Sequence, residues 1–501
     1  MSRIWTLLLT LFHFIAARWR WRTLRGQRLR RYQEQRARRI VRYAHARSPF
    51  YRRHWAGRSL DDWRSLPTVD KRLMMDNFDE FNTAGLTRHE AMEVALHAER
   101  SRDFSPTLRG YTVGLSSGTS GHRGIFLAGA WEQATWAGCI LSRTLHDLRP
   151  RKLRVAFFLR SNSNLYEKVG GVLIKFRFFD LMLPIEQAVE RLNAFKPHIV
   201  VGPPSLLGFL ADAVERGTLD IQPERLVSVA EVLEPQDAGR LKAVFNAPVH
   251  QIYQCTEGLL AISCREGSLH IQEDLVAMQL EPLDDGGRWT VDGGPQLTDD
   301  GRWTMDDGQP TLEGEGQATE SSVTDVHRLP STVHRPPSTV HRRDSPIVTD
   351  LWRTTQPIIR YRLNDVLRVS GERCACGSPF RVIEAIEGRC DDILYFQARD
   401  GGERPFFPDT IRRMVLLAGP GIEDYYAIQE RPGHLRIHLT VAPGASFPQI
   451  AEEVSRHAQE SMAQYGCMPA DLHLEQGLPE RPPDAKRRRV VRLRAEHAPA
   501  E

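Results

Sequence analysis

Seven cysteines in 501 residues, odd in number and scattered, cannot build a disulfide framework. That excludes a small stapled secreted scaffold and reads as a chain of a reducing, cytoplasmic compartment. Long apolar runs are lacking too. The N-terminal one, Ile4 to Ala17, is broken by Thr6, Thr10 and His13 and falls short of the roughly 20 residues that span a bilayer. No small-residue cleavage site follows it but Arg18, Trp19, Arg20, Trp21 and Arg22, which excludes a secretory signal peptide. An excess of one charge is missing: 67 basic against 63 acidic residues leave +4, too little to imply a nucleic-acid partner for the whole chain. The Gly-Lys-Ser/Thr ending of a Walker A loop is also absent. With 41% hydrophobic and 26% charged residues, the chain is sized for two or three domains around a large core.

What is present centres on Gly114-Leu115-Ser116-Ser117-Gly118-Thr119-Ser120-Gly121-His122-Arg123-Gly124, entered from an apolar Tyr111-Thr112-Val113 approach. Glycines leave amide groups uncovered and Ser and Thr add short donors, so such a loop can wrap the oxygens of a polyphosphate.

Around this loop the chain divides by composition. The alternating Arg and Trp residues after Ala17 suit a bilayer interface, and arginines continue to Arg47 with Glu34 the only acid. Residues 1–25 are therefore read either as peripheral membrane contact or as an amphipathic helix whose apolar side packs on the body. Ser48-Pro49-Phe50-Tyr51 ends that helix, and a globular pattern starts near Leu60. From about 150 to 260, predicted strands at Leu153–Leu159, His198–Gly202, Leu226–Val232 and Val249–Tyr253 alternate with helices at Ile185–Phe195, Ser205–Arg216 and Gln236–Phe245. That alternation argues for a parallel α/β sheet with right-handed crossovers.

Between about Asp284 and Asp344, Gly-Arg-Trp-Thr recurs at Gly287 and Gly301, and Ser-Thr-Val-His-Arg at Ser331 and Ser338. Repeats so short and polar read as a surface insertion between two strands, outside the core. From about 393, strands at Leu394–Gln397, Tyr425–Glu430 and Leu435–Thr440 with helices at Pro408–Leu417 and Pro448–Tyr465 form a small α+β domain ending in Lys486-Arg487-Arg488-Arg489.

Three acidic motifs follow the glycine loop. Tyr253-Gln254-Cys255-Thr256-Glu257 closes a predicted strand, where α/β sheets place ligands. A carboxylate there can hold Mg²⁺, and the hydroxyl beside it a phosphate oxygen. In Arg360-Tyr361-Arg362-Leu363-Asn364-Asp365 one acid among basic neighbours can accept both ribose hydroxyls. Gly388-Arg389-Cys390-Asp391-Asp392 lies at the boundary with the small domain.

In this order the segments resemble the adenylate-forming superfamily, and within it the branch of phenylacetate–coenzyme A ligases and capsule-biosynthesis adenylyltransferase-like proteins. Ser116 to Gly121 is similar to the phosphate loop, Ala230-Glu231-Val232-Leu233 to the adenine-side segment, and Tyr253 to Glu257 to the aromatic-x-x-Thr-Glu motif. Tyr361 to Asp365 is similar to the ribose motif and Gly388 to Asp392 to the hinge motif. The Ser-Pro-Phe-Tyr segment after a basic helix fits the same branch. The resemblance covers residues 35 to 490 apart from the insertion.

The resemblance implies an α/β fold. Residues 60–390 would form a large domain of mixed and parallel sheets with helices, preceded by a basic helical segment 1–59 and followed by a small mobile α+β lid, 391–501. It implies attack of a carboxylate on ATP to give an acyl-adenylate, then displacement of AMP by coenzyme A or a carrier-protein phosphopantetheine. Thr119 and its loop (Ser116, Ser117, Gly118, Ser120, Gly121) would hold the β/γ-phosphates, and Glu231 and Tyr253 would lie beside the nucleotide. Thr256 would touch the α-phosphate, Glu257 hold Mg²⁺, Asp365 and Arg389 serve the ribose, Asp392 act as the hinge, and Lys486 be the catalytic lysine. Two positions depart from the pattern: Ala485 stands where Gly precedes the lysine, and His122-Arg123 where relatives carry Pro and Lys. Phe157, Phe158, Leu159 and Tyr166 favour an aryl or fatty acid. Alternatives are adenylyl transfer to a non-carboxylate acceptor, or a membrane-associated scaffold that binds nucleotide without turnover. A nucleic-acid binder is disfavoured because no basic, aromatic-interleaved sheet is evident.

Cys374-Ala375-Cys376-Gly377 has the spacing of a metal knuckle, and Cys264 with His270, on a predicted hairpin, complete a candidate tetrahedral zinc set that would staple distant segments. Cys139, Cys255, Cys390 and Cys467 have no evident partner.

Overall fold

The structure, a computed structural model, describes residues 3–101, 103, 106–115, 124–145, 152–159, 174–180, 185–283, 296–297, 303–304, 343–389, 392–406, 408–416, 418, 421–479 and 488–493. A mixed sheet of twelve strands organises the larger part. Its parallel half runs, in spatial order, Val249–Cys255, Arg225–Val229, Ile199–Gly202, Leu153–Leu159 and Ile174–Asp180. The antiparallel half continues from Val249–Cys255 through Gly258–Ser263, Leu269–Ile271, Val382–Arg389, Asp365–Val369, Asp344–Asp350 and Val276–Pro282, with Tyr361–Arg362 paired to Asp344–Asp350.

The parallel strands are apolar on both sides, as a sheet covered on two faces requires. One face, with Phe158, Phe179, Val200 and Leu226, packs under the helices Ile185–Phe195, Pro204–Glu215 and Pro235–Phe245. Two of these helices open with proline at the first turn, where the missing N–H has no partner to lose. The second of these two ends at Phe245, followed by Asn246 in the left-handed region. The opposite face, with Phe157, Val201 and Val227, looks into a cleft.

The small domain holds a four-stranded sheet, ordered Asp471–Gln476, His434–Val441, Ile422–Arg431, Val490–Arg492, and the helices Pro408–Leu416 and Phe447–Gln464 around its own core. The insertion read from the sequence lies outside the described residues except for Gln296–Leu297, which pairs with Trp303–Thr304. The strands flanking it pair directly, Pro282 opposite Asp344.

The N-terminus differs from its sequence reading in three ways. It is two helices, α1 (Arg3–Thr23) and α2 (Gly26–Arg47), because Gly26 takes φ +48° at the junction. The core begins well before Leu60: Ala17, Ala37, Ile40, Val41 and Ala44 belong to the same cluster as Ile262 and Val348. And α1 buries its small and polar side, Thr10, His13, Ala17 and Arg20, rather than its large apolar side. After Ser48, whose hydroxyl accepts from Tyr51 N at 3.3 Å, a short helix Pro49–His54 follows. Among the described residues no helix is long and apolar enough to cross a membrane.

Candidate active site

A cleft of about 1390 Å³ opens at the C-terminal ends of the parallel strands and extends along the uncovered sheet face. The glycine loop Ser116, Ser117, Gly118, Thr119, Ser120 and Gly121, with His122 and Arg123, lies outside the described residues, as do Tyr166, Cys390, Asp391, Ala485 and Lys486. The strands on either side of that loop, Thr112–Leu115 and Ile125–Ala128, are described and pair with Leu115 opposite Ile125.

Glu231, Tyr253, Thr256, Glu257, Asp365, Arg389 and Asp392 meet in the cleft, and Phe157 lines it. Phe158, expected beside it, points to the other face of the sheet and packs under the helices, because neighbouring strand residues alternate sides. Leaving the Val249–Cys255 strand, the chain presents Thr256, whose hydroxyl donates to Glu257 Oε2 at 2.9 Å. Glu257 Oε1 accepts from the Tyr361 hydroxyl at 2.9 Å, across more than a hundred residues of sequence. Asp365 accepts from the Tyr253 hydroxyl and lies 3.9 Å from Arg389 Nε. Burial, reinforced by the adjoining carboxylates, pushes both phenols well above their ordinary range. Tyr253 and Tyr361 therefore stay neutral and act as fixed donors that aim Asp365 and Glu257. Burial, and then Glu257, likewise push up the Cys255 thiol, so it is no nucleophile at neutral pH.

Glu231 also lines the cleft, and its Oε2 accepts from the amide of Ser205 at 3.2 Å. The residue before it, Ala230, sits at φ +69°, a strained value for a residue with a Cβ, at the point where the chain turns out of its strand. Gly388, at φ +125°, precedes Arg389; a Cβ there would meet Pro408 Cγ at 2.9 Å, so glycine lets the strand end touch the first helix of the small domain. Asp392 is ion-paired with Arg488.

Several residues without any signal in the sequence support this set. Arg353, buried, donates to the carbonyls of Thr256 (2.6 Å) and Leu127 (3.2 Å) and so fixes the Thr256–Glu257 turn. Glu132 receives the amides of Gly129 (2.6 Å), Thr354 (2.7 Å) and Thr355 (2.7 Å). Arg489 of the small domain meets Asp237 and Glu234 of the large one, each at 2.9 Å. Burial pushes the Glu234 carboxyl up, the Arg489 guanidinium opposing it. Most of these contacts join residues far apart in the chain, which is why no local pattern announces them.

The four candidate zinc ligands converge. Ligand atoms of Cys264, His270, Cys374 and Cys376 all lie within 4.8 Å of one another. Cys264 Sγ and Cys374 Sγ are 3.7 Å apart, and Cys376 Sγ and His270 Nε2 3.4 Å. The edges of a zinc tetrahedron are about 3.8 Å between sulfurs and about 3.6 Å between sulfur and nitrogen, so the donors fit. His270 Nδ1 is 2.8 Å from the Phe380 carbonyl, which orients the ring and leaves Nε2 facing the sulfurs. The Cys376 amide donates to Cys374 Sγ and the Ser378 amide to Cys376 Sγ, both at 3.4 Å. Burial works against charging Cys374, but hydrogen bonds from Ser268 and the Cys376 amide outweigh it and bring the thiol to about 6. Burial and the neighbouring sulfurs push Cys376 the other way, to about 12. A cation bound between the sulfurs would favour the thiolate form of both. Trp21 of α1 packs edge-on against His270 and Phe380. Of the cysteines without an evident partner, Cys139 is 3.7 Å from Arg20 Nη2.

The split sheet, the separate small domain and this set of residues at the strand ends define one class of protein: the chain has the fold of the adenylate-forming, acyl-CoA synthetase-like superfamily and is similar in sequence to one of its curated ligases. Within it the similarity runs to the phenylacetate–coenzyme A ligase branch. A phenylacetate–coenzyme A ligase of Thermus thermophilus is 25% identical over 441 residues, 82% of this chain and 80% of the relative. No protein-family model matches the chain. The crystal structure of 2-hydroxyisobutyryl-CoA ligase in the postadenylation state with 2-HIB-AMP superposes with a TM-score of 0.64 at 16% identity, covering 95% of this chain and 92% of that one. An open conformation of that ligase with 2-HIB-AMP and CoA gives 0.53 at 17% identity, covering 92% and 90%.

Proposed function

We propose that the chain activates a carboxylic acid with ATP and passes the acyl group to the thiol of coenzyme A. A carboxylate oxygen attacks the α-phosphorus, the bond to the pyrophosphate oxygen breaks, and pyrophosphate leaves with its electron pair. The thiol sulfur then attacks the acyl carbon of the adenylate, AMP departs, and the thiol proton goes to solvent. One observation carries this reading: Thr256, Glu257, Asp365, Arg389 and Glu231 share a cleft with Arg488 and Arg489 of the small domain.

The chemical obstacle is the approach of two anions, so the residues act by positioning and neutralising charge. Thr256 offers its hydroxyl to the α-phosphate. The Glu257 carboxylate, aimed by Thr256 and Tyr361, fits Mg²⁺, which when bound neutralises phosphate charge. Asp365 accepts the ribose hydroxyls while Arg389 and Tyr253 fix its orientation. The Ser116–Gly121 loop wraps the β/γ-phosphates, Lys486 neutralises charge in the transition state, and Asp392 serves as the pivot of the small domain. Trp136, Ile140, Phe157, Phe176 and Ile199 line the deeper cleft and favour an aryl or fatty acid over a small polar one.

A carrier-protein phosphopantetheine is the other acceptor of suitable chemistry. Zinc at Cys264, His270, Cys374 and Cys376 would be structural, since four protein ligands leave no position for substrate. We place the protein in the cytoplasm, with peripheral contact at a membrane through its N-terminal helix.

ATP–pyrophosphate exchange with Mg²⁺ across a panel of aryl and fatty acids tests the reading. Acid-dependent exchange is expected. ATP binding without exchange for any acid would replace it with transfer to a non-carboxylate acceptor or with a nucleotide-binding scaffold.

A further inference from the structure

α1 is folded inside out. Toward the body it turns Thr10, His13, Ala17 and Arg20, all buried. Toward solvent it turns Trp5 (57% exposed), Leu8 (53%), Leu11 (50%), Phe12 (58%), Ile15 (59%) and Trp19 (61%). The outward residues recur at helical spacing and make one continuous stripe. Trp131, 49% exposed and with its ring 4.7 Å from that of His13, adds apolar surface beside the helix.

This orientation is held from the inside. Arg20 Nε and Arg143 Nη2 both pair with Asp274 Oδ2, at 2.8 and 2.9 Å, and all three side chains are buried. Arg143 also donates to the Ala17 carbonyl at 2.7 Å, and Thr135 Oγ1 lies 3.2 Å from His13 Nε2. The helices touch at Gly138, where a Cβ would meet Phe14 N at 2.7 Å and the Thr10 carbonyl at 2.8 Å. Rolling α1 to bury its apolar stripe would take Arg20 off Asp274 and break the Arg143–Ala17 bond and the close contact at Gly138 together. The apolar face is therefore committed to the outside.

The charge around the stripe names its partner. Arg22 stands one helical turn after Trp19 and continues the outward face. Exposed Arg25, Arg28, Arg30 and Arg31 follow, none of these five is in an ion pair among the described residues, and no acid occurs before Glu34. A second copy laid parallel on this stripe would bring those guanidinium groups together. Anionic lipid headgroups instead complement them, with tryptophans at both ends at interfacial depth. From Trp5 to Trp19 the stripe is about 21 Å long, at 1.5 Å per residue, which suits lying in the interface rather than crossing it.

We propose that α1 docks the protein on an anionic membrane, its apolar stripe sunk into the interface and Arg22 to Arg31 on the headgroups. Because the proposal rests on helix orientation and charge, it stands apart from the catalytic reading. Co-sedimentation of the full chain with phosphatidylcholine vesicles, with or without a quarter phosphatidylglycerol, tests it at 0.15 and 0.5 M salt. Binding at least ten-fold greater to the anionic vesicles, weakened by salt, is expected. The variant Leu8→Glu/Phe12→Glu/Ile15→Glu, all at exposed positions, should keep its melting temperature and lose at least ten-fold in binding, and Arg22→Gln/Arg25→Gln/Arg28→Gln should flatten the salt dependence. No sedimentation with either vesicle would overturn the proposal, as would unchanged binding by the first variant. A dimer by light scattering that this variant abolishes would assign the stripe to a second copy instead.

Discussion

Arg489, immediately before the last strand of the small domain, donates to Asp237 of the large domain from both terminal nitrogens, at 2.9 and 3.2 Å, while its Nε holds Asp424 at 2.8 Å. One buried guanidinium thus joins the two domains three residues after Lys486.

If this contact sets the small domain for adenylation, Arg489→Ala should slow acid-dependent pyrophosphate exchange by about ten-fold, chiefly in kcat. Asp237→Asn should act in the same direction more weakly. Lys486→Ala should abolish exchange and leave ATP binding nearly intact, since a lid lysine acts mainly in the transition state. Equal losses in ATP affinity and turnover for Lys486→Ala would remove it from the catalytic role.

At the strand end, Glu257→Gln should lower exchange by about 10²–10³-fold, the scale of losing one preorganised charged group. Tyr361→Phe removes only the hydroxyl that aims Glu257. It should raise the Mg²⁺ concentration needed for half-maximal rate and change the rate at saturating Mg²⁺ little, and a Mg²⁺ titration separates the two effects.

The cysteine–histidine set should hold about one zinc per chain by elemental analysis. Cys376→Ser should lose the metal and lower the melting temperature by several degrees, while any folded fraction retains exchange. Loss of activity in a fully folded, metal-free variant would point to more than a structural role.

Gly138→Ala places a methyl group against the α1 backbone. We expect a loss of about 1–3 kcal/mol, the usual cost of overpacking. Faster tryptic cleavage within residues 18–31 should accompany it.

His13 is fully buried and sits at about 4 instead of 6.5, because burial disfavours its cation and Arg20 and Arg36 repel it. Between those values the unfolded chain holds the extra proton. Its contribution is therefore complete above pH 6.5 and is lost as pH falls toward 4, by roughly 3 kcal/mol at most. Asp350, raised by burial to about 6, works in the opposite direction over much of the same range. The measurement is accordingly a difference: His13→Gln should lose less stability than the parent between pH 6.5 and 4 in urea unfolding.

The sequence by itself determined the elements and the order of the motifs. Alternating apolar strands and amphipathic helices made four of the five parallel strands legible to within a few residues, because hydrophobic period and proline placement are local properties, while the edge strand Ile174–Asp180, interrupted by Lys175 and Arg177, was not legible. Thr256, Glu257, Asp365 and the cysteine pair could be singled out for the same reason, as residue types at short spacing, and their roles are the proposals above. Tertiary structure alone decided what those residues touch. Tyr361 on Glu257, Arg353 behind Thr256 and Arg489 across the domains join positions far apart in the chain, and no window of sequence contains both partners. It also decided which way α1 faces. Periodicity identifies an apolar side and expects it inward, but a buried Arg20–Asp274 pair and the bare backbone at Gly138 fix the other side to the body. Both contacts join the helix to positions more than a hundred residues away, so no reading of the helix by itself contains them.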